Sequence, residues 1–326
     1  MAAPPPPVAA TRVAVRRAVS DLPGDSLVIV ACSGGADSLA LAAATRFEAP
    51  RRSLRAGAVV VDHQLQQGSD RVAASAAEQC RRMGLDPVEV VTVECSTTGD
   101  GLEAAARAAR YAALDQTAER LGAAVVLLGH TRDDQAEQVL LGLARGSGAR
   151  SLAGMPAARG RYRRPFLRVT REQTKAACAA EGLRPWTDPH NSHPAYARAR
   201  VRALIPAMEE ALGPGLSAAL ARTGEQLRED ADYLDGLAGE AVAALGPGPW
   251  DVTQLERIPS PLRQRVWRRL LVAAGAPAGQ VSARHTDACD ALLTRWRGQG
   301  PVSAPGPTSV ARSGALLSVT GPARVE

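Results

Sequence analysis

The run Ile29-Val30-Ala31-Cys32-Ser33-Gly34-Gly35-Ala36-Asp37-Ser38-Leu39 constrains this chain more than any other stretch of its 326 residues. An apolar strand-like segment, Leu27 to Ala31, enters it. An Ala-rich helical segment, from Ser38 to Phe47, leaves it. The serines and glycines therefore fall on a tight strand-to-helix turn. Adjacent glycines let the backbone approach a ligand and gather successive N–H groups in one concavity. The helix start adds free N–H donors and a positive dipole end. Asp37 would repel a bare phosphate, but it suits a metal ion that phosphates carry. A plain Ser/Gly turn with Asp37 or Ser38 as a helix cap would use the same residues, so placement has to separate the two readings.

The rest of the first half supplies that placement. Strand-like runs at Leu27–Ala31, Ala58–Asp62, Pro87–Val93 and Ala124–Leu128 alternate with helical runs at Asp70–Met83, Leu102–Leu121 and Asp134–Ala144. The strands are continuous Val/Ile/Leu segments, as both-face burial requires. The pattern predicts an α/β fold with a doubly wound parallel sheet, whose ligands bind beyond the carboxyl ends of the strands. Polar clusters fall at those ends: Ser33–Ser38, Asp62–Gln64, Ser96–Leu102 and His130–Asp134. Two independent clusters converging on one crevice weigh against simple capping.

The hexapeptide Ser33-Gly34-Gly35-Ala36-Asp37-Ser38 resembles the pyrophosphate-binding loop of N-type ATP pyrophosphatases. It matches neither a Walker A loop nor a dinucleotide Gly-x-Gly-x-x-Gly motif. Further segments resemble the bacterial tRNA(Ile)-lysidine synthases: Val61-Asp62-His63-Gln64-Leu65, the helix with Glu103, Arg107, Arg110 and Tyr111, and Gly129-His130-Thr131-Arg132-Asp133-Asp134. The match continues through Arg145-Gly146-Ser147-Gly148, Leu152–Met155, Arg164-Pro165-Phe166-Leu167, Asp188-Pro189-His190-Asn191 and Tyr196–Arg202. It spans roughly Leu27 to Met208. Ala199, His190 and Gln138 depart from the family pattern.

This resemblance implies ATP-dependent ligation of L-lysine to C2 of the wobble cytidine of tRNA(Ile) with a CAU anticodon, through an adenylated base. It implies ATP and Mg2+ as cofactors. Ser33, Gly34, Gly35, Ala36, Asp37, Ser38, Asp62, His63, Gly129 and His130 would bind the nucleotide, with Asp37 as the metal ligand. Asp37, Asp134, Arg110 and Arg202 would be catalytic, Asp134 receiving the lysine ammonium and the two arginines stabilising the α-phosphate. A tRNA thiolase of the same fold is the alternative enzyme, although no paired cysteines occur. A non-catalytic RNA-binding module is the alternative outside enzymes, and intact Ser33, Asp37 and Ser38 argue against it.

Composition sets the remaining expectations. The net charge is +6, and Lys175 is the one lysine among 39 basic side chains. Arginine forks suit phosphate and nucleic acid. Arg159, Arg161, Arg163 and Arg164 are expected to form a flexible loop that tracks an RNA backbone. Of Arg198, Arg200 and Arg202, at most two can share one helix face. Five scattered cysteines, no Cys-x-x-Cys, no signal peptide and no membrane-spanning run predict a cytoplasmic protein without a zinc site. The sequence carries no signal of oligomeric state. Residues 1–22 are read as a disordered tail and 23–212 as the catalytic domain. Residues 213–326 are read as a long helix and a basic C-terminal domain that docks tRNA, the Gly246-Pro247-Gly248-Pro249 breaker opening the last unit.

Overall fold

The computed structural model describes residues 3–64, 66, 68–94, 102–146, 148–188 and 193–321, with no side chains for 102–104. Leu65, Cys95, the Ser96–Gly101 segment, the Glu103 side chain, Ser147 and Pro189-His190-Asn191 therefore lie outside the described residues. The chain divides into two compact units, Met1–Arg228 and Glu229–Glu326.

The first unit begins with α1 (Pro6–Ala18), β1 (Leu27–Ala31), α2 (Ala36–Glu48), β2 (Arg55–Asp62), α3 (Ser69–Arg82) and β3 (Val88–Thr92). It continues with α4 (Leu102–Arg120), β4 (Ala123–Leu128), α5 (Arg132–Ala144), α6 (Ala149–Leu152), β5 (Ala158–Arg159) and β6 (Tyr162–Arg163). It closes with α7 (Arg171–Ala180), α8 (Ala197–Leu212) and the first half of α9 (Leu216–Leu245). The sheet order is β3-β2-β1-β4-β6-β5, and every pairing is parallel except β5 with β6. Side chains alternate across β1, as a pleated strand requires. Val28 and Val30 enter a core with α1, α2, α3 and α7, whereas Leu27 and Ile29 enter one with Leu114 and Ala118 of α4. Both faces are covered, as the unbroken apolar strands predict.

The expected disordered tail is corrected: Pro6–Ala18 is helical. Pro6 and Pro7 occupy the first turn, where a missing N–H costs nothing. Val8, Thr11 and Val15 then recur at helical spacing and are buried. The side chains are small, so a low-complexity composition hid an amphipathic helix. Arg16 clamps the buried Glu48 of α2 with two bonds of 2.9 Å, and Arg12 pairs with Glu181 at 2.7 Å.

Gly146–Arg164 is also more ordered than its composition implies. Tyr162 of β6 joins the sheet opposite Val126. Arg163 pairs with Asp21, and Arg164 is buried with its Nη1 donating to the Pro156 carbonyl at 3.0 Å. These two arginines brace the fold rather than line a mobile loop; Arg159 remains exposed. Helix α8 continues through Pro206 instead of breaking there.

The second unit carries the end of α9, then β7 (Trp250–Asp251), α10 (Val252–Glu256), α11 (Ser260–Ala273) and α12 (Ala283–Thr294). Strands β8 (Val302–Ala304), β9 (Thr308–Ser313) and β10 (Leu316–Thr320) join β7 in an antiparallel sheet of order β7-β10-β9-β8. One expectation changes. The boundary falls within α9, so the Gly/Pro breaker is internal to the unit. From Glu229 onward ten arginines are matched by ten carboxylates, but the stretch after the breaker, the part read as basic, carries all ten arginines against five carboxylates. Among the described residues, Cys32, Cys80, Cys178 and Cys289 are free and buried, and no helix is long and apolar enough to cross a membrane.

Candidate active site at the β1–β4 switch point

The crossover from β1 runs one way to β2, and β4 pairs on the other side, so the strand order reverses between β1 and β4. That reversal opens a crevice at the carboxyl edge. Ala31 stands opposite Leu128, which puts the Ser33 loop beside Gly129. The approach is close: a Cβ at Gly129 would lie 3.1 Å from the Asp37 carbonyl carbon and 3.2 Å from the Ser38 nitrogen. A side chain at Gly129 would crowd the first turn of α2, and glycine permits this close approach.

The loop is braced from within. Gly34 has φ of 80°, the left-handed region that glycine tolerates. Its carbonyl accepts the Trp186 N–H at 2.9 Å. Ser38, almost fully buried, accepts the Ser33 N–H at 3.1 Å and donates to the Gly35 carbonyl at 3.0 Å. Gly35 is the N-cap of α2 without any side-chain cap, so the first-turn N–H groups stay available to an anion. Asp37 occupies that first turn, and its Oδ1 accepts the Thr174 hydroxyl of α7.

The second cluster starts at Thr131, the fully buried N-cap of α5. Asp134 closes a capping box, with its Oδ2 accepting the Thr131 N–H at 2.7 Å and the Thr131 hydroxyl at 2.8 Å. The cap reading is thus physically present, but it does not exhaust the residue. Arg171 donates one Nη2 to Asp134 Oδ1 at 2.9 Å and to Glu137 Oε1 at 3.0 Å. Arg202 grips Glu137 with Nε at 2.8 Å and Nη2 at 3.2 Å, and passes 3.8 Å from Asp134. Arg171 Nε lies 4.0 Å from Asp37 Oδ2, which ties the cluster to the phosphate loop.

Two cations therefore serve three carboxylates, Asp37, Asp134 and Glu137, in a partly dry crevice. Burial would raise the Asp134 pKa, but Arg171, the Thr131 N–H, His130 and the Thr131 hydroxyl hold it below the usual value. Burial pushes Asp37 up to about 6, Asp134 and Asp133 adding to the rise while Thr174 and Arg171 oppose it. The surplus of negative charge suits an incoming cation.

The structure brings Asp37, Asp134 and Arg202 together, as expected. Arg110 sits in a separate group, where its Nε donates to His63 Nε2 at 3.0 Å at the β2 end. Asp62 is buried and accepts the Gln64 N–H at 3.0 Å. Burial lowers both His63 and His130 to about 4, and nearby arginines add to each shift, so both rings are neutral at pH 7. Among the described residues, the buried His130 Nδ1 has no hydrogen-bond partner, and a bound base could satisfy it. Arg198 joins Arg202 on the α5-facing side by donating to Gln138 at 2.9 Å, whereas Arg200 caps backbone carbonyls of Pro194 and Ala195.

Sequence reasoning gave no role to Glu137, Arg171 or Thr174. Glu137 was accessible, since it lies one turn from Asp134 on the same helix face. Arg171 and Thr174 belong to a helix whose start was signalled only by the Thr170-x-x-Gln173 capping box.

The residues fit ATP: a braced anion-binding turn, a glycine cradle and neutral imidazoles at one edge. They fit a phosphate-borne Mg2+ through Asp37 alone. Among the described residues no cluster of three or more His, Cys, Asp or Glu could hold a metal, and Mg2+ characteristically takes one or two carboxylates plus phosphate oxygens.

A sheet reversing at a Ser/Gly loop with an acidic first turn defines a PP-loop nucleotide-binding domain. The family model of the PP-loop domain matches residues 10–208. The tRNA(Ile)-lysidine synthase of Thermobifida fusca is 57% identical over 309 residues, covering 94% of this chain and 95% of that protein. Those of Streptomyces coelicolor and Salinispora arenicola are 50% and 53% identical, with at least 97% of every chain covered. The chain belongs to the tRNA(Ile)-lysidine synthase family. A U34-tRNA thiolase of Methanococcus maripaludis shares the fold at a TM-score of 0.57 and 18% identity, over 68% of this chain and 80% of that one.

Proposed function

We propose that this enzyme joins L-lysine to C2 of the wobble cytidine in tRNA(Ile) bearing a CAU anticodon, at the expense of ATP. The observation that carries the reading is the Asp37–Arg171–Asp134–Glu137–Arg202 cluster, built against the phosphate loop in one crevice. The loop N–H groups and the Ser33 hydroxyl hold the β- and γ-phosphates. Asp37 would hold a magnesium ion carried by those phosphates, and the ion would supply positive charge for the departing pyrophosphate. Oxygen O2 of the cytosine attacks the α-phosphate, pyrophosphate leaves, and C2 acquires an AMP leaving group. Arg110, at the β2 end, stabilises the charge on the α-phosphate.

The second step needs a free amine, although a lysine side chain holds its proton up to a pKa of about 10.4. Asp134 binds the ammonium and receives or relays its proton. Arg202 is engaged with Glu137, so it positions that carboxylate besides supplying positive charge. The amine then attacks C2 and AMP departs. The second unit is assigned to tRNA docking. It is neutral overall, and the support is local: exposed Arg295 and Arg297 flank Trp296, on which Arg312 stacks at 4.4 Å.

The test is AMP release from ATP with purified tRNA(Ile) and with elongator tRNA(Met), each with and without lysine. Release that requires both tRNA(Ile) and lysine is expected. Release independent of lysine, or sulfur incorporation in its place, would overturn the reading.

A further inference from the structure

A second concave site lies on the sheet face that α4 covers. A cleft of about 600 Å³ opens between α4 and the β5–β6 hairpin. Arg107, Tyr111, Arg159, Arg161, Tyr162 and Arg164 line it, and Asp115 is its one carboxylate among the described residues. Nothing in the ligation chemistry uses it. We propose that this cleft binds a nucleotide next to the target base in the RNA strand, with the base on Tyr111 and the phosphate on Arg159. The proposal rests on the lysidine reading and names the site that holds the strand while the target base is in the crevice.

The lining argues for that chemistry. Tyr111 and Tyr162 meet edge to face, with centroids 4.9 Å apart and planes at 70°. Tyr162 is buried and anchored, its hydroxyl donating to Asp115 at 2.8 Å. It holds Tyr111 upright from below. The Arg107 guanidinium lies 5.0 Å above the Tyr111 ring, and its Nη2 reaches the Tyr111 hydroxyl at 3.4 Å. A rigid aromatic ring beside a planar cation is a surface on which any base can stack.

The charge argues for the same ligand. Asp115 is shared between the Tyr162 hydroxyl and Arg161, whose Nε lies 3.5 Å away. Arg159 is exposed and meets no acceptor among the described residues. Arg164 is buried, yet its Nε has no partner among the described residues. Four guanidiniums against one carboxylate form an anion site, and Arg159 at the tip of the hairpin is free to follow a phosphate. Gly160, between Arg159 and Arg161, turns the tip with a φ of 56°, the left-handed region that glycine tolerates, and open space surrounds it.

The position connects the cleft to the crevice. β6 pairs with β4 through Arg163 and Leu127, two residues before Gly129, so Arg164 lies at the strand end that also carries His130. One nucleotide in the cleft therefore leaves its neighbour toward that edge. A single-stranded loop can supply both, since its bases unstack at low cost.

The experiment measures binding of an anticodon stem-loop RNA by fluorescence anisotropy over a salt series, without ATP or lysine. Arg159→Ala should flatten the slope of log affinity against log salt by about one phosphate contact. Tyr111→Ala should weaken binding by roughly 5- to 100-fold with an unchanged slope, and Tyr111→Phe, which keeps the ring and the fold, should bind like the wild type. ATP affinity, titrated separately, should be unchanged in all three. A 4-thiouridine beside the wobble position should crosslink to Tyr111 in the wild type. Wild-type affinity and slope in both alanine variants, or a crosslink confined to other residues, would overturn the inference and leave the lysidine reading intact. Wild-type protein that fails to bind the stem-loop at all would overturn both.

Discussion

Asp37 opposes the stability of the fold that positions it, and that opposition can be measured. Burial raises its pKa from 3.8 to about 6, helped by Asp134 and Asp133 and countered by Thr174 and Arg171. The folded state therefore binds this proton more tightly than the unfolded chain does. The stabilisation that comes with the proton is fully present below about pH 4 and is lost as pH rises toward 6. The interval between 3.8 and about 6 corresponds to at most about 3 kcal/mol at pH 7. The side chain keeps 28% of its surface exposed, and screening by water there reduces the figure to roughly 1–2 kcal/mol. In Asp37→Asn the amide oxygen would still accept the Thr174 hydroxyl, so the substitution removes the charge and little else. The variant is expected to be more stable than the wild type by roughly 1–2 kcal/mol at pH 7, and no more stable near pH 4. It should also lose adenylation, because no anion remains for the metal. Urea titrations across that pH range, beside an ATP–pyrophosphate assay, test both halves. Equal or lower stability at pH 7, with an unchanged pH profile, would show that the carboxylate carries no such strain.

Arg171→Ala leaves Asp134 without its nearest cation and Glu137 with Arg202 alone; urea unfolding at pH 7 should show a loss of about 3–5 kcal/mol, and a loss below about 1 kcal/mol would contradict the buried cluster. Asp134→Asn should still adenylate tRNA and accumulate the AMP-linked base, with KM for lysine raised roughly ten- to hundredfold. Rapid-quench analysis with α-labelled ATP detects that species, and wild-type rates in both steps would reduce Asp134 to a helix cap.

The sheet and the phosphate loop were legible because both depend on local signals. Continuous apolar strands, Ala-rich helices and a Ser/Gly turn occur within a few residues of one another, and β1 to α5 follow them closely. The cluster behind the loop was not legible in the same way. Thr174 meets Asp37 across most of the unit, and no periodicity announces that contact. Arg171 looked like one arginine among many in a chain that uses almost no lysine. Composition misled in two directions. Pro and Ala at Met1–Ala10 concealed a packed helix, because small side chains bury well against Ala-rich neighbours. Arg163 and Arg164 looked like a charged loop, yet Asp21 and the Pro156 carbonyl hold them within the fold.

Helix α1 also bears on the order in which the molecule is assembled during synthesis. Its apolar stripe seats against α2 and α7, one following soon after it in the chain and the other only after all six strands of the sheet. A chain leaving the ribosome can pair Arg16 with Glu48 early, while half of the seat for Val8 and Val15 is still missing. Long-range seating of this kind comes late in folding. The same helix α7 brings Arg171 to Asp134 and Thr174 to Asp37. Until it docks, Asp134 lacks Arg171 and Asp37 lacks the Thr174 hydroxyl. Closure of the N-terminal helix and the onset of the site's unusual electrostatics therefore belong to one event, so a nascent chain cannot hold a finished nucleotide site over an unfinished core.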